Sequence, residues 1–250
     1  MPNYFQTTRS GYYAVVASLP LLILYELLLA LSDQSFAGQI RNAADVWLRT
    51  ILVSFGLSPF HTTLAMILVL VLAIPLLRQH SEPIEGRYLG FMFGEALVYG
   101  FFLGIIINYI LFFFFTLLAS TLPDISTPIA AIPSHLGLVQ GLALSIGAGL
   151  FEEFFFRVIL LTAILFLFRL LLTEWLAVTL AIGGAAFLFS LAHYVGPLGE
   201  PLEIHGFLFR WVAGLLFTIL FYLRGFAIAA YAHAFYDIFV ITGVFRIVGW

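Results

Sequence analysis

The chain has 250 residues, of which 63% are hydrophobic and only 9% charged, with a formal net charge of −3. Soluble domains carry about 45–50% apolar and about 25% charged residues, so a soluble enzyme is excluded, and so small a net charge gives no footing for a nucleic-acid partner. Cysteine is absent, which rules out disulfides and a thiolate nucleophile.

A mean hydropathy of +1.11 and several apolar runs long enough to cross a bilayer define an all-α, polytopic helical membrane protein. The expected organisation is one membrane-embedded domain over residues 1–250, with about seven to eight transmembrane helices. After a short polar tail ending near Arg9, the first helix is predicted over about Gly11 to Leu31 and is too long for a signal-peptide core, so it is expected to be retained. It carries Glu26, expected to be interfacial or internally paired. Between Ser35 and Phe60, Arg41, Asp45 and Arg49 share one helical stripe and Ile40, Ala44, Trp47, Ile51 and Phe55 fall largely on another. That pattern predicts an amphipathic helix in the membrane interface, a structural collar.

A second crossing is predicted over about Thr62 to Leu77, followed by a polar loop from Arg78 to Arg87. The apolar run from Tyr88 to Ser120 is too long for one untilted crossing. Its Gly90/Gly94 and Gly100/Gly104 spacings suit close helix packing, and Glu95 and Asn108 are expected to make structural hydrogen bonds. Thr121 to Ser134, with three prolines, reads as a loop outside the membrane. Next come a run from about Leu136 to Leu172, a helix from about Trp175 to Tyr194, a loop from Gly196 to Gly206, and helices over about Phe207 to Leu223 and Phe226 to Val248. The loop arginines divide five against four between the two sides, with Arg9, Arg78, Arg87, Arg169 and Arg224 on the cytoplasmic side if the amino terminus is there.

Three groups of polar residues lie inside these apolar segments. Glu152, Glu153 and Arg157 fall within six residues, although a charge at bilayer depth costs about 2.5–3.5 kcal/mol. Glu153 and Arg157, four apart, can pair on one helical face. Glu152 lies about 100° round the helix and is free for another role. Gly147 and Gly149, just before, would allow a break or the close approach of another helix. His193 is the second group. His233 and Asp237, again four apart, are the third, an arrangement in which an acid orients an imidazole.

Peptide hydrolysis needs a base for water, donors for the oxyanion and an acid for the leaving amine. Glu152, His193 and His233 could fill those roles without a nucleophilic side chain, and the same groups could ligate zinc. Each also has a structural reading: a buried ion pair, an interfacial histidine, a hydrogen-bonded pair or a proton relay. Ser145 and Ser190 lack the setting of a nucleophile. His61, His80, His135 and His205 are expected to be solvated.

Taken together, Glu152-Glu153-x-x-x-Arg157, Phe189-x-x-x-His193 and His233-x-x-x-Asp237 resemble, in the right order, the motifs of the CAAX protease and bacteriocin-processing (CPBP, or Abi) family of intramembrane endopeptidases. The motif-bearing core is about 136–248. The resemblance implies a multi-pass protein, expected in a prokaryotic plasma membrane, that cleaves a membrane-associated peptide or protein. It implies Glu152 as general base acting with His193, His233 and Asp237 on the oxyanion side, and Glu153, Arg157 and Phe189 as support. No cofactor is certain; a divalent metal such as zinc, if bound, would take Glu152, His193, His233 and Asp237. Eukaryotic members carry Asn where this chain has Asp237. The alternative is a non-catalytic bacteriocin-immunity or transporter-like membrane protein that keeps the polar cluster as structure.

Overall fold

A computed structural model describes residues 3–32, 40–79, 83–121, 137–196 and 199–247. Among these the chain is helical throughout, with no strand. The elements are α1 (Tyr4–Thr8), α2 (Gly11–Leu31), α3 (Ala43–Ser54), α4 (Pro59–Arg78), α5 (Gly86–Thr121), α6 (Leu138–Gly147), two π-helical stretches (Ala148–Glu152 and Phe154–Leu161), α7 (Thr162–Arg169), α8 (Glu174–Ala192), α9 (Ile204–Arg224), α10 (Phe226–Ile241) and α11 (Val244–Ile247). The loop expected over Thr121 to Ser134 lies almost wholly outside the described residues, as do His80 and His135.

Among the described residues five helices are long and apolar enough to cross a membrane: Gly11–Leu31, Phe60–Arg78, Gly86–Leu117, Glu174–Ala192 and Ile204–Arg224. This is an integral membrane protein. Of the seven to eight expected crossings, five qualify on length and composition. Residues 138–169 run on as one helical path through α6, the π stretches and α7. The last helix is shorter than expected: α10 ends at Ile241, and Gly243, at φ 73°, turns the chain into α11. Large apolar side chains such as Phe91, Phe112, Phe166 and Leu171 point outward, where hydrocarbon rather than water is the matching solvent.

Alanine-rich α10 is the central helix. Ala227, Ala229, Ala230, Ala232 and Ala234 are at most 3% exposed, because small side chains let neighbouring backbones approach closely. A Cβ on Gly100 would come within 2.6 Å of the Ala232 carbonyl oxygen, and one on Gly149 would strike the Ala230 carbonyl. Gly149 therefore marks close approach rather than a break. Of the two glycine spacings in α5, only Gly100/Gly104 is used this way; Gly90 and Gly94 face open space.

The turn into α10 is recessed. Gly225 takes φ 82°, a conformation suited to glycine. Arg224 before it is buried and ion-paired with Glu95, which also accepts a hydrogen bond from Tyr4 Oη at 2.6 Å. Helix α1, expected as a free polar tail, packs over this turn: Arg224 donates to Thr8 Oγ1 at 3.2 Å, and Arg9 donates to the Tyr222 carbonyl at 3.0 Å. Further along α10, His233 lies beside Phe189, the two rings 6.5 Å apart.

The stripe Arg41, Asp45, Arg49 is the second correction. Asp45 is fully buried and Arg49 is 8% exposed, while Ile51 and Phe55 stand exposed. Helix α3 thus turns its polar face inward, onto Glu26 of α2: Arg41 and Arg49 both pair with Glu26 and with Asp45. Arg49 also donates to Thr62 at 2.6 Å and Thr63 at 2.9 Å. With 12 residues, or about 18 Å, α3 is too short to span by itself. Arg41, Arg49, Arg169, Arg210 and Arg224 are each paired with a carboxylate.

Candidate active site

The first π stretch ends on Glu152 and the second begins just after Glu153. π-Turns are rare and occur mostly as local bulges, often at functional sites; here they lie on both sides of the paired glutamates. Gly147, immediately before, has no room for a side chain: a Cβ would meet the Tyr25 ring at 2.6 Å and Asn42 Cβ at 3.1 Å.

Glu153 and Arg157 are fully buried, 3.1 Å apart between Oε1 and Nη1. Glu153 Oε1 also accepts a hydrogen bond from His233 Nδ1 at 2.7 Å. Arg157 stacks over Phe189, 4.6 Å from the ring centre, and reaches the Gly214 carbonyl at 3.5 Å. The expected brace therefore has a third member. His233 is held between Glu153 on Nδ1 and Phe217 on its face, with centroids 4.6 Å apart.

His193 closes α8. Its Nδ1 lies 2.9 Å from the Phe189 carbonyl. A carbonyl can only accept, so Nδ1 carries the proton and Nε2 is the nitrogen left for chemistry. His233 is fixed in the same sense: with Nδ1–H given to Glu153, its Nε2 faces Asp237 at 3.8 Å. Nε2 can donate to an oxyanion only when the ring carries both protons; otherwise Asp237 must carry the proton and donate.

Glu152, His193 and Asp237 line one cavity of about 570 Å³, together with Asn42, Trp47 and Phe156. Glu152 is 9% exposed and lies in electrostatic range of both His193 and His233. The glutamate, the two histidines and the aspartate come from three separate helical segments and converge. Ser145, also on the cavity wall, gives its hydroxyl to the Gly141 carbonyl at 2.9 Å, and Ser190 gives its own to the Phe207 carbonyl at 2.7 Å. His61 is solvated as expected, whereas His205 packs 4.8 Å from Phe115.

One contact to Glu152 comes from outside the motif segments. Asn42 Nδ2 donates to Glu152 Oε1 at 2.7 Å. Nothing in the local pattern marks Asn42 as a partner 110 residues away; the available signal is that it is an N-cap type of residue before an amphipathic run.

Residues 133–239 match the family model of type II CAAX prenyl endopeptidase Rce1-like proteins. Over that segment the chain is similar to CPBP-type endopeptidases. No curated protein and no solved structure matches the chain. The matched segment spans all three motifs, from Glu152 to Asp237. Helices α2 to α4, and with them Asn42, lie outside it.

The resemblance implies zinc as a candidate ligand of these side chains. Among the described residues no group of three His, Cys, Asp or Glu side chains is placed to hold a metal ion. Both Nδ1 atoms are committed, and Glu153 is shared between His233 and Arg157. As placed, Glu152, His193, His233 and Asp237 do not bring three ligating side chains together.

Proposed function

We propose that this protein is an intramembrane endopeptidase that hydrolyses a membrane-associated, CAAX-type peptide or protein using water activated by Glu152 and His193. The observation that carries the reading is the single cavity onto which Glu152, His193 and Asp237 open, with His233 tied behind them to Glu153.

In this mechanism a water bridges Glu152 and His193 Nε2. Glu152 accepts a proton as the water oxygen bonds to the scissile carbonyl carbon. The carbonyl oxygen, now an oxyanion, faces the His233–Asp237 pair. One proton shared by that pair supplies one donor, on Nε2 or on the aspartic acid, so an Asp here serves where Asn would donate permanently. The carbon–nitrogen bond then breaks as the proton on Glu152 passes to the leaving amine. Glu153 and Arg157 hold the His233 ring, and Phe189 packs between Arg157 and His193.

The test is cleavage of a prenylated, internally quenched CAAX peptide by detergent-purified protein. Wild type should cleave it; Glu152→Gln and His193→Ala should fold and fail to. A folded Glu152→Gln protein that cleaves at the wild-type rate would refute the mechanism.

A further inference from the structure

We propose that Asn42, at the start of α3, is a positioning residue for this reaction, holding Glu152 in the orientation that presents its second carboxylate oxygen to water. The proposal rests on the assignment of Glu152 as the base.

The amide has no rotational ambiguity. Asn42 is the N-cap of α3, and its Oδ1 accepts the backbone N–H of Ala44 at 2.9 Å. Turning the amide over would set an NH2 against that N–H and an acceptor against a carboxylate. Nδ2 must therefore point at Glu152, and it does so at 2.7 Å. An amide nitrogen has only donors to offer, so the contact pins Oε1 and leaves Oε2 for the cavity it shares with His193.

Asn42 is itself held from three sides. It is 8% exposed, its backbone N–H donates to Tyr25 Oη at 3.3 Å, and Tyr25 donates to Asp45 Oδ2 at 2.9 Å. Arg41, one residue earlier, is paired to Glu26 and Asp45. Across the contact, Gly147 leaves the space that Asn42 and Tyr25 fill, five residues before the glutamate. A charge-assisted donor carried on a helix end that is locked in this way is fixed in space before substrate arrives.

Two substitutions separate the cap from the donor. Asn42→Ser keeps a good N-cap but is too short to reach Glu152. Asn42→Asp keeps the cap and the size and turns an acceptor on the carboxylate. Assayed with the prenylated quenched peptide, Asn42→Ser should unfold near the wild-type temperature and Asn42→Asp below it but still fold, and both should keep the wild-type KM and lose kcat by roughly 10- to 100-fold, the scale for misplacing a catalytic group. Asn42→Asp should be the slower of the two. Wild-type kcat in either folded variant, while Glu152→Gln is inactive, overturns the positioning role and leaves the base assignment standing. Full activity of Glu152→Gln overturns the base assignment itself. Failure of both Asn42 variants to fold also overturns the proposal, because Asn42 is then structural.

Discussion

Two clusters of buried charge lie on either side of Asn42, and they are built on opposite plans. In the first, Glu26, Arg41, Asp45 and Arg49 make two anions and two cations, and each carboxylate meets both guanidiniums. Every charge is neutralised inside the cluster, and Tyr25, Thr62 and Thr63 supply further hydrogen bonds. In the second, Glu152, Glu153 and Asp237 share a single guanidinium, Arg157, and two histidines. Glu153 takes Arg157, and Glu152 is left with an amide and a cavity. Buried ions that are fully paired hold helices together; a buried carboxylate given one neutral donor and an opening is available for proton transfer.

Exchanging equivalent substitutions between the clusters tests this contrast most strongly. Glu152→Gln should lower kcat by about 10²- to 10⁴-fold, the usual contribution of a general base, with little change in Tm. Glu26→Gln should do the reverse, lowering Tm while the folded fraction keeps its turnover. The contrast collapses if both lose stability alike. Next in size, Arg49→Met leaves two carboxylates short of a partner and should cost about 3–5 kcal/mol of stability, the penalty for breaking a buried pair, read from unfolding in detergent.

The oxyanion side sharpens the comparison further. Asp237→Ala should reduce kcat by about 10²- to 10³-fold, as loss of an oxyanion donor does elsewhere, while Asp237→Asn should keep most of the rate because the amide donates without needing a proton. An Asn variant as slow as the Ala variant would show that Asp237 acts through its charge on His233. The smallest effect expected is none. Stripping divalent metal with a chelator should leave both cleavage and Tm unchanged, because as placed the second cluster does not gather three ligating side chains; a loss restored by zinc would reverse that.

Much of the second cluster was legible because helical periodicity is a local rule. Four-residue spacing puts Glu153 with Arg157 and His233 with Asp237 whatever the surroundings, and the cost of charge in an apolar run marks those residues as purposeful. The same rule misled for α3. It identified the polar stripe correctly but could not say which way the stripe faces, since Glu26, the residue that draws it inward, sits on another helix. The burial of the turn into α10 was hidden for a similar reason: Arg224-Gly225 reads only as a tight turn between two helices, and Glu95 and α1, which cover Arg224, lie far away in the chain.

Composition and apolar run lengths thus determined by themselves that this is a helical membrane protein, and motif order that its acids and histidines resemble the CPBP set. The tertiary structure decided that Glu153 is shared between Arg157 and His233, that each imidazole commits Nδ1 and leaves Nε2, and that Asn42 supplies a donor to Glu152. Those facts depend on contacts between helices far apart in the chain, where packing sets the geometry and no local spacing encodes it.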